Sequence, residues 1–259
     1  MTSKMLEEAL SSFEAVQAQL QQLDPPMIEI AGRLRRQPPQ VAMTVARGSS
    51  DHAASYFAYL TMQQLGVPVA SLPMSVVTMQ QAPLKVSGQV AFAFSQSGQS
   101  PDLVNSLRLL RKRGALSVSM VNAADSPLEA ACEFSLPLLA GTESSVAATK
   151  SFIATLSASA RLIAHWKEDS ELLEAGNALP EGLREAAQHN DLVISSGGVS
   201  VGEEDHMHRH ALAGIAGQRA ATGNGFVVGM GRQQQRPARV DAAPGRHRRR
   251  RTPRMQRDH

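Results

Sequence analysis

Residues 95–100 carry the densest set of groups that could bind a ligand, because they read Ser-Gln-Ser-Gly-Gln-Ser. The loop follows an apolar run that ends at Phe94, and it precedes Pro101, a residue preorganised for the first turn of a helix. Its hydroxyl groups and the free N–H groups of that turn would face the positive end of the helix dipole. This arrangement suits a phosphate or another anion held without a metal. An N-capped turn that binds nothing gives the same local pattern, so the neighbouring loops must decide.

The elements that position this loop are predicted by apolar runs alternating with helical patterns. A helical stripe covers residues 4–37 with an interruption at Asp24-Pro-Pro, and the longest later helical pattern covers residues 145–167. The apolar runs predict five buried strands at residues 41–46, 67–72, 90–94, 115–121 and 134–139. We therefore expect an α/β fold in which a five-stranded parallel sheet is flanked by helices on both faces.

Two further polar loops occupy equivalent places in the predicted fold. Residues 47–51 follow the first predicted strand, and residues 140–145 follow the fifth. Ligands of parallel sheets bind beyond the carboxyl ends of the strands. We therefore expect the loops at 47–51, 95–100 and 140–145 to converge on one anion-binding pocket.

The chain divides into four parts of different composition, of which the last is strongly basic. The parts are an N-terminal helical segment at 1–39, the α/β domain at 40–180, a poorly defined segment at 181–229 and a tail at 230–259. The tail holds ten arginines and two aspartates, whereas the formal charge of the whole chain is only +3. We expect the tail to be disordered and to bind nucleic acid only non-specifically.

Composition predicts a cytoplasmic protein that does not enter a membrane. Hydrophobic residues make up 42% of the chain, and the mean hydropathy is −0.19. We find neither an apolar run long enough for a transmembrane helix nor the layout of a signal peptide at the start. Cys132 is the single cysteine and lies in an apolar context, which favours a buried, reduced thiol over a nucleophile.

Three ordered motifs together resemble the SIS (sugar isomerase) domain. They are residues 44–52, 95–104 and 140–152. The likeness is strongest to glucosamine-6-phosphate deaminases and isomerases, which are related to the synthase half of glutamine–fructose-6-phosphate aminotransferase. The fold of that family is a flavodoxin-like five-stranded parallel sheet, which agrees with the independent prediction. The resemblance implies an amino-sugar phosphate or fructose 6-phosphate as ligand, no cofactor and no metal, and a homodimer.

The resemblance also implies which residues bind the ligand. In that family the loop equivalent to residues 95–100, called the serine loop below, holds the sugar phosphate. The first loop contacts the sugar phosphate or a nearby hydroxyl through Ser50, and the third approaches the substrate through its backbone. By position, the substrate-binding residues are Ser50, Ser95, Gln96, Ser97, Ser100, Val146 and Ala148. Ser49, Glu143 and Lys150 are further candidates, although Lys150 also fits a salt-bridged structural role. Ala148 stands where some family members have a serine, so one hydroxyl contact is missing.

Catalysis is not assigned to any residue. Complete family members have a second SIS domain, which supplies the glutamate and histidine for ring opening and proton transfer. Nothing after residue 188 resembles that domain, since its glutamate-bearing helix and its His-Gly-Pro segment are absent. We interpret the chain as a phosphosugar-binding half-site, related to isomerases and deaminases, or as a phosphosugar-sensing module without turnover.

Residues 191–206 instead resemble the molybdopterin molybdenumtransferase family, through the sequence Ser-Gly-Gly-Val-Ser-Val-Gly. A fragment related to molybdopterin cofactor biosynthesis is therefore an alternative function. The nearby His206, His208 and His210 favour a solvated polar segment over a metal site, because no defined ligand set is complete. Two unrelated signatures that meet before an arginine-rich tail also favour a truncated or chimeric reading frame.

Overall fold

The computed structural model describes residues 4–144 and 148–189 of this 259-residue chain. Three helices come first, namely α1 (Lys4–Leu10), α2 (Ser12–Gln22) and α3 (Asp24–Arg36). Strands and helices then alternate as β1 (Ala42–Val45), α4 (Ser49–Leu65), β2 (Val69–Ser71), α5 (Met74–Thr78), β3 (Val90–Ser95), α6 (Pro101–Lys112), β4 (Leu116–Val121), α7 (Pro127–Ala131) and β5 (Phe134–Pro137). The described part ends with α8 (Lys150–Lys167), α9 (Ser170–Asn177) and α10 (Leu179–His189).

The five strands form one parallel sheet in the order β2-β1-β3-β4-β5. Across the sheet, Thr44 lies opposite Phe92, which lies opposite Val118, which lies opposite Phe134. The order is doubly wound and changes direction between β1 and β3, as in flavodoxin-like folds. The predicted five-stranded parallel sheet flanked by helices is confirmed.

The two faces of β3 are buried in two separate cores. Phe92 and Phe94 belong to the core formed with α2, α3, α4 and α8, where the ring of Phe57 lies 4.5 Å from that of Phe92. Ala91 and Ala93 belong to the core formed with α5, α6 and α7. Burial of both faces requires apolar residues at successive strand positions, which is why the strands were recognisable as continuous apolar runs.

Helix boundaries differ from the predictions at two places. Helix α8 begins at Lys150, five residues later than expected, because Ala148 and Thr149 are not helical. Helix α10 begins at Leu179, although the sequence Leu-Pro-Glu-Gly at 179–182 was interpreted as a break before a helix at 183–188. Pro180 lies in the first turn of α10, where a missing N–H costs no helical hydrogen bond. The short helices α5 and α9 were not predicted.

Several predictions fall outside the described residues. They are the molybdenumtransferase-like motif at 191–206, the histidines at 206, 208 and 210, and the arginine-rich tail at 230–259. The division of the chain into four parts stays a prediction. Within residues 4–144 and 148–189, no helix combines the length and apolar character needed to cross a membrane.

Candidate functional site

The change of direction in the sheet opens a crevice between β1 and β3. Helix α4, which follows β1, packs on one face of the sheet, and α6, which follows β3, packs on the other. The two connections therefore diverge, and the amino ends of both helices lie at the carboxyl edge of the sheet. Ligands of doubly wound sheets bind at this point.

Two glycines give the loops at this edge their shape. Gly48 has φ +57° and ψ −136°, a conformation that side-chain-bearing residues avoid, and it turns the chain from β1 into α4. Gly98 has φ +63°, and a Cβ added there would lie 2.5 Å from Oγ of Ser126. Glycine at position 98 therefore lets the serine loop pack closely against the connection between β4 and α7.

The serine loop leaves polar groups available at the start of α6. Ser95 is buried, and its Oγ accepts a hydrogen bond from N–H of Gly98 at 2.9 Å, which closes the loop. Ser97 is exposed and accepts from N–H of Gln99 at 3.3 Å. Ser100 precedes α6, but its hydroxyl makes no capping hydrogen bond. Within the described part of the chain, the N–H groups of Ser97 and Ser100 have no acceptor.

A small pocket lies between the start of α4 and α8. Ser49 and Ser50, in the first turn of α4, line it, and their hydroxyls make no hydrogen bond to another described residue. The pocket is lined by Ser49, Ser50, Ala53, Gln96, Leu138, Ala148, Ser151, Phe152 and Thr155. The structure thus brings together four residues predicted from the sequence, namely Ser49, Ser50, Gln96 and Ala148.

Glu143 connects the serine loop with the start of α8. Its Oε2 accepts from Nε2 of Gln96 at 3.0 Å and from the hydroxyl of Ser151. Its Oε1 accepts from the backbone N–H of Thr149 at 2.6 Å and from the Thr149 hydroxyl at 2.9 Å. Thr149 occupies the N-cap position of α8 without a side-chain cap of its own. Glu143 therefore caps α8, and both of its oxygens are used as acceptors within the protein.

Asn122 and Gln19 anchor the chain segment that follows β5, each from a different side. Nδ2 of Asn122 donates to the carbonyl of Gly141 at 2.8 Å, and its Oδ1 accepts from N–H of Ala140 at 2.9 Å. Nε2 of the buried Gln19 donates to the carbonyl of Leu138 at 2.8 Å and also to a carbonyl of α8. Sequence reasoning missed both residues, because their partners lie far away along the chain.

An ion pair joins the two connections that border the crevice. Oδ2 of Asp102, in the first turn of α6, lies 3.1 Å from the Arg47 guanidinium, in the loop after β1. Oδ1 of Asp102 accepts from N–H of Leu103 at 3.0 Å. The Arg47 side chain is 62% exposed and that of Asp102 is 30% exposed. Sequence reasoning missed this pair too.

Two residues predicted from the sequence remain to be placed, namely Val146 and Lys150. Val146 lies outside the described residues. Lys150 is the first residue of α8 and forms no ion pair with any residue of the described part.

The pocket residues that sequence reasoning missed include Ser151, Phe152 and Thr155, which lie on α8. Their helical spacing was the available signal. Across residues 4–144 and 148–189, His, Cys, Asp and Glu form no group that could hold a metal ion.

Sequence comparison assigns the region that contains these loops. Residues 40–164 match the family model of the SIS domain. The glutamine–fructose-6-phosphate aminotransferase of Thermus thermophilus is 30% identical over 178 residues, which are 65% of this chain and 28% of that enzyme. This chain therefore spans less than a third of the length of that curated relative.

Structural comparison gives the same assignment. A candidate phosphosugar isomerase from Silicibacter pomeroyi DSS-3 superposes with a TM-score of 0.70 at 40% identity, over 72% of this chain and 57% of that chain. The NanR protein of Vibrio vulnificus, complexed with ManNAc-6P, superposes with a TM-score of 0.54 over 67% of this chain and 66% of that chain. Its 19% identity shows the fold alone. Residues 40–164 therefore form a SIS domain, as both comparisons indicate.

Proposed function

We propose that this chain binds a phosphosugar, either an amino-sugar 6-phosphate or fructose 6-phosphate, at the crevice between β1 and β3. The phosphate binds to the serine loop, with Ser97 and Ser100 as its main contacts. The sugar lies at the mouth of the adjoining small pocket, where the hydroxyls of Ser49 and Ser50 and Oε1 of Gln96 are available for hydrogen bonds.

The observation that carries this proposal is the set of unpaired donors at the start of α6. Among the described residues, the N–H groups of Ser97 and Ser100 lack acceptors, and the Ser100 hydroxyl does not cap its helix. A helix N-terminus with free N–H groups favours a phosphate, because the groups point at the ligand and the helix dipole attracts negative charge. The names of the aminotransferase and isomerase relatives agree with a phosphorylated sugar.

The roles of the remaining predicted residues follow from their contacts. Ser95 shapes the loop, since its Oγ accepts the N–H of Gly98. Glu143 organises the site and is not a ligand, since its carboxylate already accepts from Gln96 and from the start of α8. Ala148 contacts the sugar through its backbone, and the same role for Val146 stays a prediction.

We further propose that the described residues bind the phosphosugar without converting it. Ring opening and proton transfer between C1 and C2 need a general acid and a general base within hydrogen-bond reach. No titratable side chain of the described residues lines the pocket. Turnover would therefore need groups from another chain or from residues outside the described ranges. The homodimer, the cytoplasmic location and the molybdopterin-related alternative stay predictions.

Binding is tested by isothermal titration calorimetry of the full chain with fructose 6-phosphate and with glucosamine 6-phosphate. We expect the variant Ser100→Ala to bind at least ~10-fold more weakly, since a hydrogen bond to a charged group contributes about 1.5–3 kcal/mol. Ser170→Ala is the matched control, because Ser170 is exposed at the start of α9, beyond the other end of α8. Absence of binding to both phosphosugars by the wild-type chain would refute the proposal.

Turnover is tested separately, by measuring ammonia release from glucosamine 6-phosphate and its conversion to fructose 6-phosphate. We expect the purified chain to bind these sugars without either reaction. Steady release of ammonia that is lost in Ser100→Ala would show that the chain is an active deaminase and would overturn the binding-only role.

A further inference from the structure

We propose that Arg47 is a positioning residue that neutralises Asp102, and that this neutralisation lets a doubly charged phosphate bind at the start of α6. The inference rests on the proposed function, because it concerns the same ligand and the same loop. Arg47 contacts Asp102 in this arrangement and makes no contact with the ligand.

The geometry fixes a negative charge next to the phosphate position. Asp102 lies two residues after Ser100, in the first turn of α6. Its Oδ1 accepts from N–H of Leu103 at 3.0 Å, which holds the carboxylate against the amino end of the helix. The carboxylate thus occupies the same positive end of the helix dipole that would attract a phosphate.

An Asp102 carboxylate that is not paired with a cation would weaken binding of a phosphate, because both groups are negatively charged. A phosphate monoester carries close to two negative charges at neutral pH, since its second pKa is about 6. A carboxylate beside it would repel it, whereas a carboxylate paired with a guanidinium would not. Arg47 lies across the crevice, with its guanidinium 3.1 Å from Oδ2 of Asp102.

The composition of the loops singles out Arg47 for this task. It is the only lysine or arginine in the three predicted loops at residues 47–51, 95–100 and 140–145. Its side chain is 62% exposed, and exposed ion pairs add little to folding stability. The pair is therefore placed where it affects the ligand far more than the fold, and variants of either residue are expected to fold.

The test is a charge-rescue series measured by calorimetry on the full chain, with fructose 6-phosphate as the probe. We expect Arg47→Gln to bind about fivefold or more weakly, as one uncompensated charge would cause. Asp102→Asn should bind as tightly as the wild type or more tightly, and the double variant should return close to the wild type. Arg47→Lys should retain binding. Arg108→Gln, which removes an exposed charge farther along α6, is the control for net charge.

A second probe separates a charge effect from a general disturbance of the loop. Fructose 6-sulfate carries one negative charge where the phosphate carries two. We therefore expect Arg47→Gln to weaken binding of fructose 6-phosphate more than binding of fructose 6-sulfate. Equal losses for both probes would overturn the inference.

The other possible results of the charge-rescue series each decide a specific part of the inference. If the double variant binds as weakly as Arg47→Gln, Arg47 contacts the ligand directly and the inference is wrong. If Asp102→Asn binds as weakly as Arg47→Gln, the pair is a structural tether and the inference is also wrong. A wild-type chain that binds neither phosphosugar would overturn this inference together with the proposed function. Binding that is weakened by Ser100→Ala but unchanged by Arg47→Gln would overturn this inference alone.

Discussion

Nε2 of Gln96 donates a hydrogen bond to Oε2 of Glu143 at 3.0 Å, and this contact joins two loops that leave different strands of the sheet. Gln96 belongs to the serine loop after β3, and Glu143 belongs to the loop between β5 and α8. The same carboxylate caps α8 through the backbone N–H of Thr149. One side chain therefore fixes both the start of a helix and the position of a pocket-lining amide.

Glu143→Ala should lower both stability and ligand affinity. The substitution leaves several donors without their acceptor, among them Nε2 of Gln96 and the N–H of Thr149. Lost caps and unsatisfied buried donors each cost about 1–2 kcal/mol. We expect urea denaturation to show a loss of roughly 2 kcal/mol or more, with weaker binding of fructose 6-phosphate. Glu171→Ala, at an exposed site in the first turn of α9, should change neither quantity appreciably. A stability loss confined to the control variant would contradict this account.

Gly98→Ala should be more damaging than Gly141→Ala. Both glycines have positive φ, +63° and +67°, so both substitutions introduce backbone strain of about 1–2 kcal/mol. Only at Gly98 would the new Cβ collide with another side chain, 2.5 Å from Oγ of Ser126, whereas nothing lies within 4 Å at Gly141. Overpacking adds about 1–3 kcal/mol. Chemical denaturation of the two variants measures the difference, and equal losses would show that the loop does not pack against Ser126.

Asp24 should make stability fall in acid. The Arg161 guanidinium, whose Nη2 lies 2.7 Å from Oδ2 of Asp24, holds the pKa of this carboxyl below its usual value of 3.8, and partial burial opposes this effect. His165 also contacts Asp24, with its Nε2 3.0 Å from Oδ1. Because the folded-state pKa is lowered, the stabilisation is present above the pKa of the unfolded chain and is lost as the pH falls through the folded-state value.

The variant Asp24→Asn tests this pH dependence. At pH 7 it should be less stable than the wild type by about 1 kcal/mol, a modest value because the side chain is 35% exposed. The difference should shrink as the pH falls below 3.8, since Asp24 of the wild type then becomes protonated as well. Urea denaturation over a pH series measures it. Asp125→Asn, at an exposed position, should show no such trend, and a constant difference at all pH values would argue against the ion pair.

Cys132 should be inert in the folded protein. Burial raises the pKa of its thiol to about 12, so almost none of it is thiolate at neutral pH. We expect a thiol reagent such as DTNB to react slowly with the native chain at pH 8 and rapidly with the chain in guanidinium chloride. Rapid labelling of the native chain would show that the α7–β5 region is more open than described.

The edge strand β2 was predicted to be buried and is largely exposed, whereas β1, β3 and β4 were predictable because they are buried on both faces. Such strands appear as continuous apolar runs, and their polar loops must then share the carboxyl edge of a parallel sheet. This reasoning placed Ser50 and Gln96 at one site, and both line the pocket. The order of the strands, which sets the crevice between β1 and β3, was not predicted, because apolar runs do not specify which strands are neighbours in the sheet.

The missed features depend on contacts between distant residues. Arg47 and Asp102 are separated by 55 positions, and nothing in the local sequence of either one specifies the other. Glu143 caps α8 through Thr149, six residues later, and neither Ala148 nor Thr149 is helical although a helix was predicted from residue 145. The true start at Lys150 decides which face of α8 meets the pocket, so helical spacing alone did not show that Ser151 and its neighbours line it.

The most direct test of the central claim is a crystal structure of the full chain with fructose 6-phosphate bound. The account predicts phosphate oxygens within hydrogen-bond distance of the N–H groups of Ser97 and Ser100 and of the Ser100 hydroxyl. It also predicts that the sugar lies beside Ser49 and Ser50. A ligand found away from the start of α6, or a serine loop that stays empty at saturating fructose 6-phosphate, would contradict the account.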